Sequence, residues 1–389
     1  MSVAKRQKTD AVGGLLAWLE SSGTKGLADL DVRALDGGGH GIFTKRDFAK
    51  GETIASLPIG CALTAAAAAE SEIGKAVRAC AARLGCQEFC TAEVVLWVYL
   101  AVGRRDKAHP WHAYCASLPA ESPEPACWPK PLREQLNSTP VGASLFAARR
   151  AVQQVWDGFA ERLPRELPEL VPAEALRSHA DLLWARGMVR SRCFPSRLLL
   201  ATEGPLSPEE IEAEAVEAVT TLAGTAETWG EAPGALLPLF DLLNHEAGAR
   251  IFWHCDEAAG CIRFVTDEPI GVGKQVYNNY GDRANEELLF SYGFTLRDNS
   301  HDSTALVLSV GAEGAVERRG FPVPSLYLPC TFPVPSAGGA ARLPHPPPRA
   351  RRRAGRAAAA AGLGLRGGQG GGRRGGGGGG GRRAGRGGR

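Results

Sequence analysis

Three common sequence features are absent from this chain of 389 residues. None of its ten cysteines belongs to a Cys-x-x-Cys pair, which excludes the paired ligand spacing of structural zinc sites. No apolar run reaches the roughly 18 residues that a membrane-spanning helix needs, and the N-terminal segment lacks the apolar core of a secretory signal. We therefore expect no bound metal, no membrane span, reduced and mostly buried thiols, and a location in the cytoplasm or the nucleus.

Acidic residues are absent from the C-terminal tail, which we define as residues 336–389. The tail holds 13 Arg and no Asp, Glu or Lys among long Gly and Ala runs. Such a composition cannot bury enough apolar surface to offset the entropy of ordering, so we expect the tail to be disordered. Arg-Gly-Gly triplets that begin at Arg366 and Arg386 favour a weak, salt-dependent contact with nucleic acid.

The rest of the chain has the opposite charge. The whole sequence has a net charge of +3, whereas residues 1–335 hold 32 basic and 42 acidic side chains. The basicity is therefore a property of the tail. An acidic body argues against broad nucleic-acid binding by the core and suits a basic protein partner.

The hydrophobic pattern predicts strands at both ends of the body and helices between them. Residues 41–48 and 53–57 form predicted strands joined by a turn. From about 65 to 190 the pattern is mainly helical, with Thr91 as one helix cap, and Ser207 begins a further helix. Strands return at 250–255, 262–266 and 275–277. This order predicts a mixed α+β fold in which short curled sheets surround a large helical insertion.

Four sequence blocks combine into a specific pattern. Asn244 and His245 follow an apolar run, and Tyr280 lies in an Asn-Tyr-Gly turn that is followed by Glu-Glu-Leu-Leu-Phe-Ser-Tyr-Gly-Phe. Upstream, residues 37–58 combine a glycine-rich turn with two short strands, and residues 184–194 read Trp-Ala-Arg-Gly-Met-Val-Arg-Ser-Arg-Cys-Phe. A single block is explained by a polar turn or a buried aromatic residue, whereas all four in this order require one common explanation.

These blocks resemble the SET-domain methyltransferases, in particular the branch typified by the Rubisco large-subunit lysine methyltransferase and its relatives acting on non-histone proteins. The resemblance implies a SET fold with a threaded C-terminal segment, S-adenosyl-L-methionine as the cofactor, and a lysine of a protein substrate as the acceptor. It divides the chain into a leader with a short helix (1–30), the SET domain (31–300), a remnant of a substrate-binding domain (301–335) and the tail.

Tyr280 is the catalytic candidate that the resemblance implies. Its hydroxyl would position and polarise the transferred methyl group beside the acceptor nitrogen. A tyrosine has an ordinary pKa near ~10, so it is poorly suited to act as a strong base at neutral pH. We therefore assign positioning and electrostatic roles to Tyr280 before proton abstraction.

Eight residues are expected to hold the cofactor. The amide of Asn244 both donates and accepts hydrogen bonds, and the guanidinium of Arg192 suits a carboxylate. The glycine-rich turn leads into a strand and not a helix, which differs from a phosphate-binding loop and favours close backbone approach to the cofactor. Phe294 either stacks on adenine or belongs to the core. The set is Gly39, Gly41, Phe43, Arg192, Asp241, Asn244, His245 and Phe294.

Phe194 and Tyr292 are candidates for the acceptor site. An aromatic face suits a lysine stem and its ammonium, whereas an imidazole needs polar partners for its second nitrogen. For Tyr292 core packing is the alternative. Residues 299–302 resemble the segment after the catalytic block of the actin-histidine methyltransferase, so a histidine acceptor stays open as a second interpretation.

After His301 the chain departs from the family, whose members continue into a helical domain that docks the substrate protein. Here the sequence changes to Pro/Arg/Gly low complexity, through loss of that domain or through a mis-assembled reading frame. Two other classes of function stay open: a SET-like binding module without catalysis, and an RNA-associated protein that acts through its tail. We expect a monomer.

Overall fold

The computed structural model describes residues 3–35, 38–199 and 234–303. The helix predicted at Ser207, most of the 301–335 remnant and the whole tail therefore lie outside the described residues. All described residues belong to one compact unit. None of the helices in these ranges is both long enough and apolar enough to cross a membrane.

Helices occupy the middle of the described chain, and strands lie on both sides of them. The helices are α1 (Val3–Ser21), α2 (Ala65–Glu70), α3 (Glu72–Leu84), α4 (Ala92–Gly103), α5 (His112–Ser117), α6 (Lys130–Glu134), α7 (Pro140–Gly158), α8 (Leu163–Glu166), α9 (His179–Arg192) and α10 (Asn285–Tyr292). The strands are β1 (Leu30–Ala34), β2 (His40–Thr44), β3 (Thr53–Pro58), β4 (Leu63–Thr64), β5 (Cys193–Phe194), β6 (Ala235–Leu236), β7 (Asn244–His245), β8 (Ile251–Asp256), β9 (Cys261–Thr266) and β10 (Gln275–Asn278).

The strands form three short sheets. The first has the order β1-β2-β10-β7, in which β10 runs antiparallel to β2 and parallel to β7. The second, β3-β9-β8, and the third, β4-β6-β5, are antiparallel. Helices α2 to α9 lie between β4 and β5 in the chain. The predicted mixed α+β fold of short sheets with a large helical insertion is therefore confirmed.

Local sequence signals explain where the helices of the insertion begin and end. The hydroxyl of Thr91 accepts from the backbone N–H of Val94 at 3.2 Å, so Thr91 caps α4 as predicted. Ser178 and Asp181 form a reciprocal capping box at the start of α9. Gly85 ends α3 in the left-handed conformation, at φ 66°. Helix α4 is buried on almost every face, which explains why its apolar residues lack a single stripe.

Two boundaries differ from the prediction. The first helix begins at Val3, well before the short helix expected in the leader. The strand predicted at 41–48 ends at Thr44, since the N–H of Lys45 donates to the carbonyl of Asp29 at 2.8 Å and the chain turns away. Phe48 then pairs with Ile270 in an isolated bridge.

Candidate active site

The parallel pairing of β7 and β10 brings the two central sequence blocks together. Asn244 lies opposite Tyr277, and His245 lies opposite Asn278. Two residues beyond β10, the backbone N–H of Tyr280 donates to Nδ1 of His245 at 3.1 Å, across 35 positions of sequence. The prediction that both segments form one site agrees with this geometry.

The hydroxyl of Tyr280 has a fixed orientation. It donates to the backbone carbonyl of Leu243 at 2.7 Å, one residue before Asn244. Burial, followed by the neighbouring Tyr292, raises the pKa of Tyr280 well above the ordinary value of a tyrosine. The phenol is therefore neutral at physiological pH.

The ring of Tyr280 belongs to a group of four aromatic side chains that we call the aromatic cluster: His245, Tyr280, Tyr292 and Phe294. The ring of Tyr280 stacks on His245 with centres 5.1 Å apart and lies 4.7 Å from Tyr292. Phe294 lies 6.3 Å from His245 and 6.1 Å from Tyr292. The cluster thus combines three predicted site residues from the C-terminal block with the predicted histidine of β7.

His245 is neutral in this environment. Burial is the main cause that lowers its pKa from the ordinary value. Because Nδ1 accepts the hydrogen bond from the backbone of Tyr280, the ring proton of the neutral form resides on Nε2. His245 therefore supports the backbone of the catalytic candidate and offers a flat, uncharged face to the cluster.

Arg192 and Asp241 form a buried ion pair at the end of α9. Nη1 of Arg192 donates to the backbone carbonyl of Asp241 at 2.8 Å and to its Oδ2 at 3.1 Å. The hydroxyl of Tyr114, which is fully buried, donates to the same Oδ2 at 3.0 Å. Burial is the largest single influence and acts to lower the pKa of Arg192, but the charge of Asp241, its hydrogen bond and the neighbouring tyrosines together raise the net pKa, so the guanidinium stays ionised.

A strained turn presents Asp241 to Arg192. Leu239 adopts φ 77°, a conformation that is costly for a branched side chain, and it is the one non-glycine residue with positive φ in the described ranges. The following turn, Phe240–Leu242, is closed by the N–H of Leu242 donating to the carbonyl of Leu239 at 3.1 Å. Strain of this kind persists where the surrounding packing fixes a side chain for function.

The glycine-rich block lies against the same region. Nδ2 of Asn244 donates to the carbonyl of His40 at 2.9 Å, which joins β7 to the start of β2. Gly39 has φ 76°, and a Cβ on Gly41 would lie 2.8 Å from Nε2 of Gln275. The positive φ favours glycine at position 39, whereas at position 41 the flexible end of the Gln275 side chain would have to shift to make room for a Cβ. Phe43, two residues on, lies beneath the guanidinium of Arg33 at 4.6 Å.

Phe194 lies in a different group of rings. It is buried on β5, where its ring packs edge-on against Trp253 with centres 5.0 Å apart. Trp253 in turn contacts Phe240 and Phe264. Within the described residues no ring contact joins Phe194 to the aromatic cluster, and Phe194 belongs to the hydrophobic core. Its role at the acceptor site stays a prediction.

Three buried polar atoms near the site have no hydrogen-bond partner among the described residues: Nε of Arg192, Oδ1 of Asp241 and Oδ1 of Asn278. Such atoms are uncommon in folded proteins and indicate a missing ligand or water. They comprise one donor and two acceptors. In the same ranges no group of three or more His, Cys, Asp or Glu side chains has the arrangement of a metal site.

Some residues of the site were missed by sequence reasoning. Tyr114 lies in the insertion, 127 positions from Asp241, and no local pattern connects them. Asn278 is two residues before Tyr280, in the run Asn-Asn-Tyr-Gly, and that proximity was a usable signal. Arg283, whose Nε donates to the backbone carbonyl of Tyr280 at 2.6 Å, was equally close in sequence.

Comparison with known proteins shows the family to which this chain belongs. The SET domain, as its family is described, matches residues 39–281, and the chain belongs to the SET-domain family. The match includes Tyr280 and all of the predicted cofactor residues except Phe294. The predicted family and fold are confirmed.

Individual relatives agree with this assignment. The chain is 27% identical over 229 residues to the ribosomal lysine N-methyltransferase set10 of Schizosaccharomyces pombe, which covers 57% of this chain and 35% of that protein. It is 24% identical over 282 residues to the Rubisco large subunit N-methyltransferase of Nicotiana tabacum, covering 70% of this chain and 48% of that one. The chain thus spans between about a third and half of these relatives.

A solved structure shares the fold. The SET domain of LSMT bound to lysine and AdoHcy superposes with a TM-score of 0.56 at 19% identity, over 79% of this chain and 62% of that chain. At this level of identity the likeness establishes the architecture alone.

Proposed function

We propose that this protein is an S-adenosyl-L-methionine-dependent methyltransferase that acts on a lysine side chain of a non-histone protein. One observation carries the proposal. In a chain of the SET-domain family, the hydroxyl of Tyr280 is held by the carbonyl of Leu243 within the aromatic cluster, where the family's tyrosine is expected.

The residues present fit the cofactor. Its amino-acid end carries an ammonium and a carboxylate, which require acceptors and donors respectively. Oδ1 of Asp241 and Oδ1 of Asn278 are unpaired acceptors, and Nε of Arg192 is an unpaired donor. The glycines at 39 and 41 leave space for the backbone to approach, and Phe294 offers a ring to adenine. When bound, S-adenosyl-L-methionine supplies an electrophilic methyl group that needs no metal.

This chain's own residues would orient and desolvate the acceptor. Tyr280 keeps its proton, so it serves as a fixed dipole and does not abstract a proton. We expect the rings of Tyr280 and Tyr292 to shield the bound acceptor from water, and a less hydrated amine favours its neutral form over the ammonium. Orientation of the amine towards the methyl group then supplies much of the rate enhancement.

Lysine is favoured over histidine as the acceptor. The relative from Schizosaccharomyces pombe is named a ribosomal lysine N-methyltransferase, and the relative from Nicotiana tabacum is named a Rubisco large subunit N-methyltransferase. The aromatic cluster presents faces that suit a lysine stem. Residues 299–302 retain their resemblance to the histidine-specific branch, and that acceptor is the alternative outcome of the test below.

The direct test is transfer of an isotopically labelled methyl group. The purified full chain is incubated with labelled S-adenosyl-L-methionine and either ribosomes or whole-cell extract, and the labelled residues are mapped by mass spectrometry. Label on lysine supports the proposal. Label on histidine selects the alternative acceptor. Tight cofactor binding without any transfer identifies a SET-like binding module.

The tail supports a second, separate activity. Its 13 Arg without a single acidic residue favour salt-dependent contact with RNA, while the remaining chain is acidic. RNA affinity of the full chain and of residues 1–335, compared in a salt titration, tests this. Equal affinities would show that the tail does not bind RNA.

Three further expectations stay predictions: the monomeric state, the location in cytoplasm or nucleus, and the domain boundaries at 31, 300 and 335.

A further inference from the structure

A buried ionic group lies between the helical insertion and α10. Glu124, whose side chain is fully buried, lies beside two arginines of α9 that are one helical turn apart. Arg186 donates from Nη1 to Oε1 of Glu124. Nε of Arg190 is 3.9 Å from the same oxygen, which is an ion-pair distance but too long for a hydrogen bond. Arg186 is therefore the arginine that hydrogen-bonds to this carboxylate, whereas Nε of Arg190 and Oε2 of Glu124 have no hydrogen-bond partner among the described residues. The buried position of Arg190 requires another explanation.

Arg190 connects α9 to the last turn of α10. Its Nη2 donates to Oγ of Ser291 at 3.3 Å, and its guanidinium lies 4.6 Å from the ring centre of Phe290. The second distance is within the range of a cation–π contact. Burial, followed by the charge of Arg186, lowers the pKa of Arg190 to about 10, so it remains charged at neutral pH.

A second contact restrains the same end of α10. Gly293 ends the helix at φ 78°, and a Cβ at this position would overlap the carbonyl oxygen of Pro123. Pro123 directly precedes Glu124. One loop of the insertion therefore carries the buried carboxylate and also packs against the glycine that follows α10.

Tyr292 lies between these two contacts. Its ring faces Tyr280 with centres 4.7 Å apart and planes inclined by 31°. Displacement of the last turn of α10 would move this ring directly, because Ser291 and Gly293 are its neighbours in the chain.

We propose that Arg190 is a positioning residue of the methyl-transfer site. It holds the last turn of α10 so that the Tyr292 ring stays against Tyr280 and the acceptor amine meets a region of fixed width. The inference rests on the proposed function, in which these two tyrosines bound the acceptor site. The Glu124–Arg186 pair supplies the fixed point on the insertion against which Arg190 is held.

Hydrogen–deuterium exchange of the full chain tests whether Arg190 holds the last turn of α10 in place. Arg190→Met should speed exchange at the end of α10 by at least about tenfold while α4 stays protected. Arg105→Met is the control, because Arg105 pairs with Asp181 at the opposite end of α9 from Arg190; the exchange of α10 should stay unchanged in it. Equal effects of the two variants, or unchanged α10 exchange in Arg190→Met, overturn the proposal. Should Arg190→Met fold poorly, Ser291→Ala removes only the hydroxyl and should give a smaller increase at the same place.

Methyl transfer to total ribosomal protein tests the catalytic part. With saturating labelled S-adenosyl-L-methionine, Arg190→Met should lower turnover by at least about tenfold, since small misplacements near reacting atoms have large effects on rate. Its cofactor affinity should stay within about twofold of the parent, and Arg190→Lys should recover part of the turnover. Loss of cofactor affinity in parallel with turnover contradicts a positioning role. A parent chain that transfers no label contradicts the proposed function instead, and the exchange experiment then decides the inference alone.

Discussion

At the scale of single residues, unpaired polar atoms are the most informative feature of the site. Nε of Arg192, Oδ1 of Asp241 and Oδ1 of Asn278 are buried without partners among the described residues. An unsatisfied buried polar group costs about 1–3 kcal/mol. A ligand that carries both an ammonium and a carboxylate would form hydrogen bonds with all three atoms and so offset this free-energy cost. This explains why the folded chain tolerates them.

Two substitutions test this pocket. Arg192→Ala and Asn244→Ala should each weaken binding of S-adenosyl-L-methionine by about 1.5–3 kcal/mol, the range for hydrogen bonds to charged groups. Isothermal calorimetry measures the change. Arg192→Ala should also lower stability by about 3–5 kcal/mol, because Asp241 then stays buried with Tyr114 as its remaining partner.

Arg250→Ala is the control for these variants. Arg250 is exposed and pairs with Asp267 at the surface, so its removal should change affinity and stability by less than about 1 kcal/mol. Unchanged cofactor affinity in both Arg192→Ala and Asn244→Ala would show that the pocket has been wrongly assigned.

At the scale of elements, two glycines that end helices allow the cost of backbone strain to be measured apart from the cost of steric overlap. Gly85 and Gly293 both end helices with positive φ, at 66° and 78°. A Cβ on Gly85 meets open space, whereas a Cβ on Gly293 overlaps the carbonyl of Pro123. Gly85→Ala should therefore cost only about 1–2 kcal/mol of conformational strain.

Gly293→Ala adds displacement of the Pro123 loop and should cost at least about 1 kcal/mol more than Gly85→Ala. Urea unfolding of the two variants gives the comparison. Equal losses of stability would mean that the loop does not restrain the end of α10.

The segment before α5 predicts a pH dependence. The backbone N–H of Trp111 donates to Nδ1 of His109 at 3.1 Å, and burial lowers the pKa of His109 to about 4. The folded state favours the neutral ring. This stabilisation is complete above the unfolded pKa, near ~6.5, and is lost as the pH falls towards the folded value.

Melting temperature should therefore fall as the pH is lowered from about 6.5 to 4. His109→Gln cannot titrate, so its melting temperature should fall less over the same interval. The lowered pKa of His245 acts with the same sign and remains in the variant as a residual slope. Parallel curves for the two proteins would contradict the assignment to His109.

Sequence patterns predicted the secondary-structure elements better than the tertiary contacts between them. The strands near 53–57, 250–255 and 262–266 and the cap at Thr91 depend on local periodicity and capping chemistry, and the structure reproduces them. The contacts of Tyr114 with Asp241 and of Arg190 with Ser291 join residues 127 and 101 positions apart. Such contacts arise only from packing of the insertion against the C-terminal part of the SET domain, which no local pattern encodes. The same holds for Phe194, which packs on Trp253.

At the scale of the whole molecule, charge divides the chain. Residues 1–335 are acidic and the tail is basic. The family match ends at residue 281, and the composition of the tail predicts disorder. We therefore expect that the SET-domain fold does not depend on the tail. Truncation after residue 335 should leave melting temperature and cofactor affinity unchanged, and limited proteolysis should remove the tail before it cuts the body. A clear drop in melting temperature after truncation would contradict this.

The central claim is that the positioned hydroxyl of Tyr280 promotes methyl transfer from the cofactor to the acceptor nitrogen. The measurement is labelled methyl transfer to protein lysine by the parent chain and by Tyr280→Phe, with cofactor affinity determined for both. Removal of the hydroxyl should leave cofactor binding intact and lower turnover by about 10²–10³-fold, the effect of losing one preorganised polar group at a reacting centre. Equal turnover by the two proteins would contradict the account.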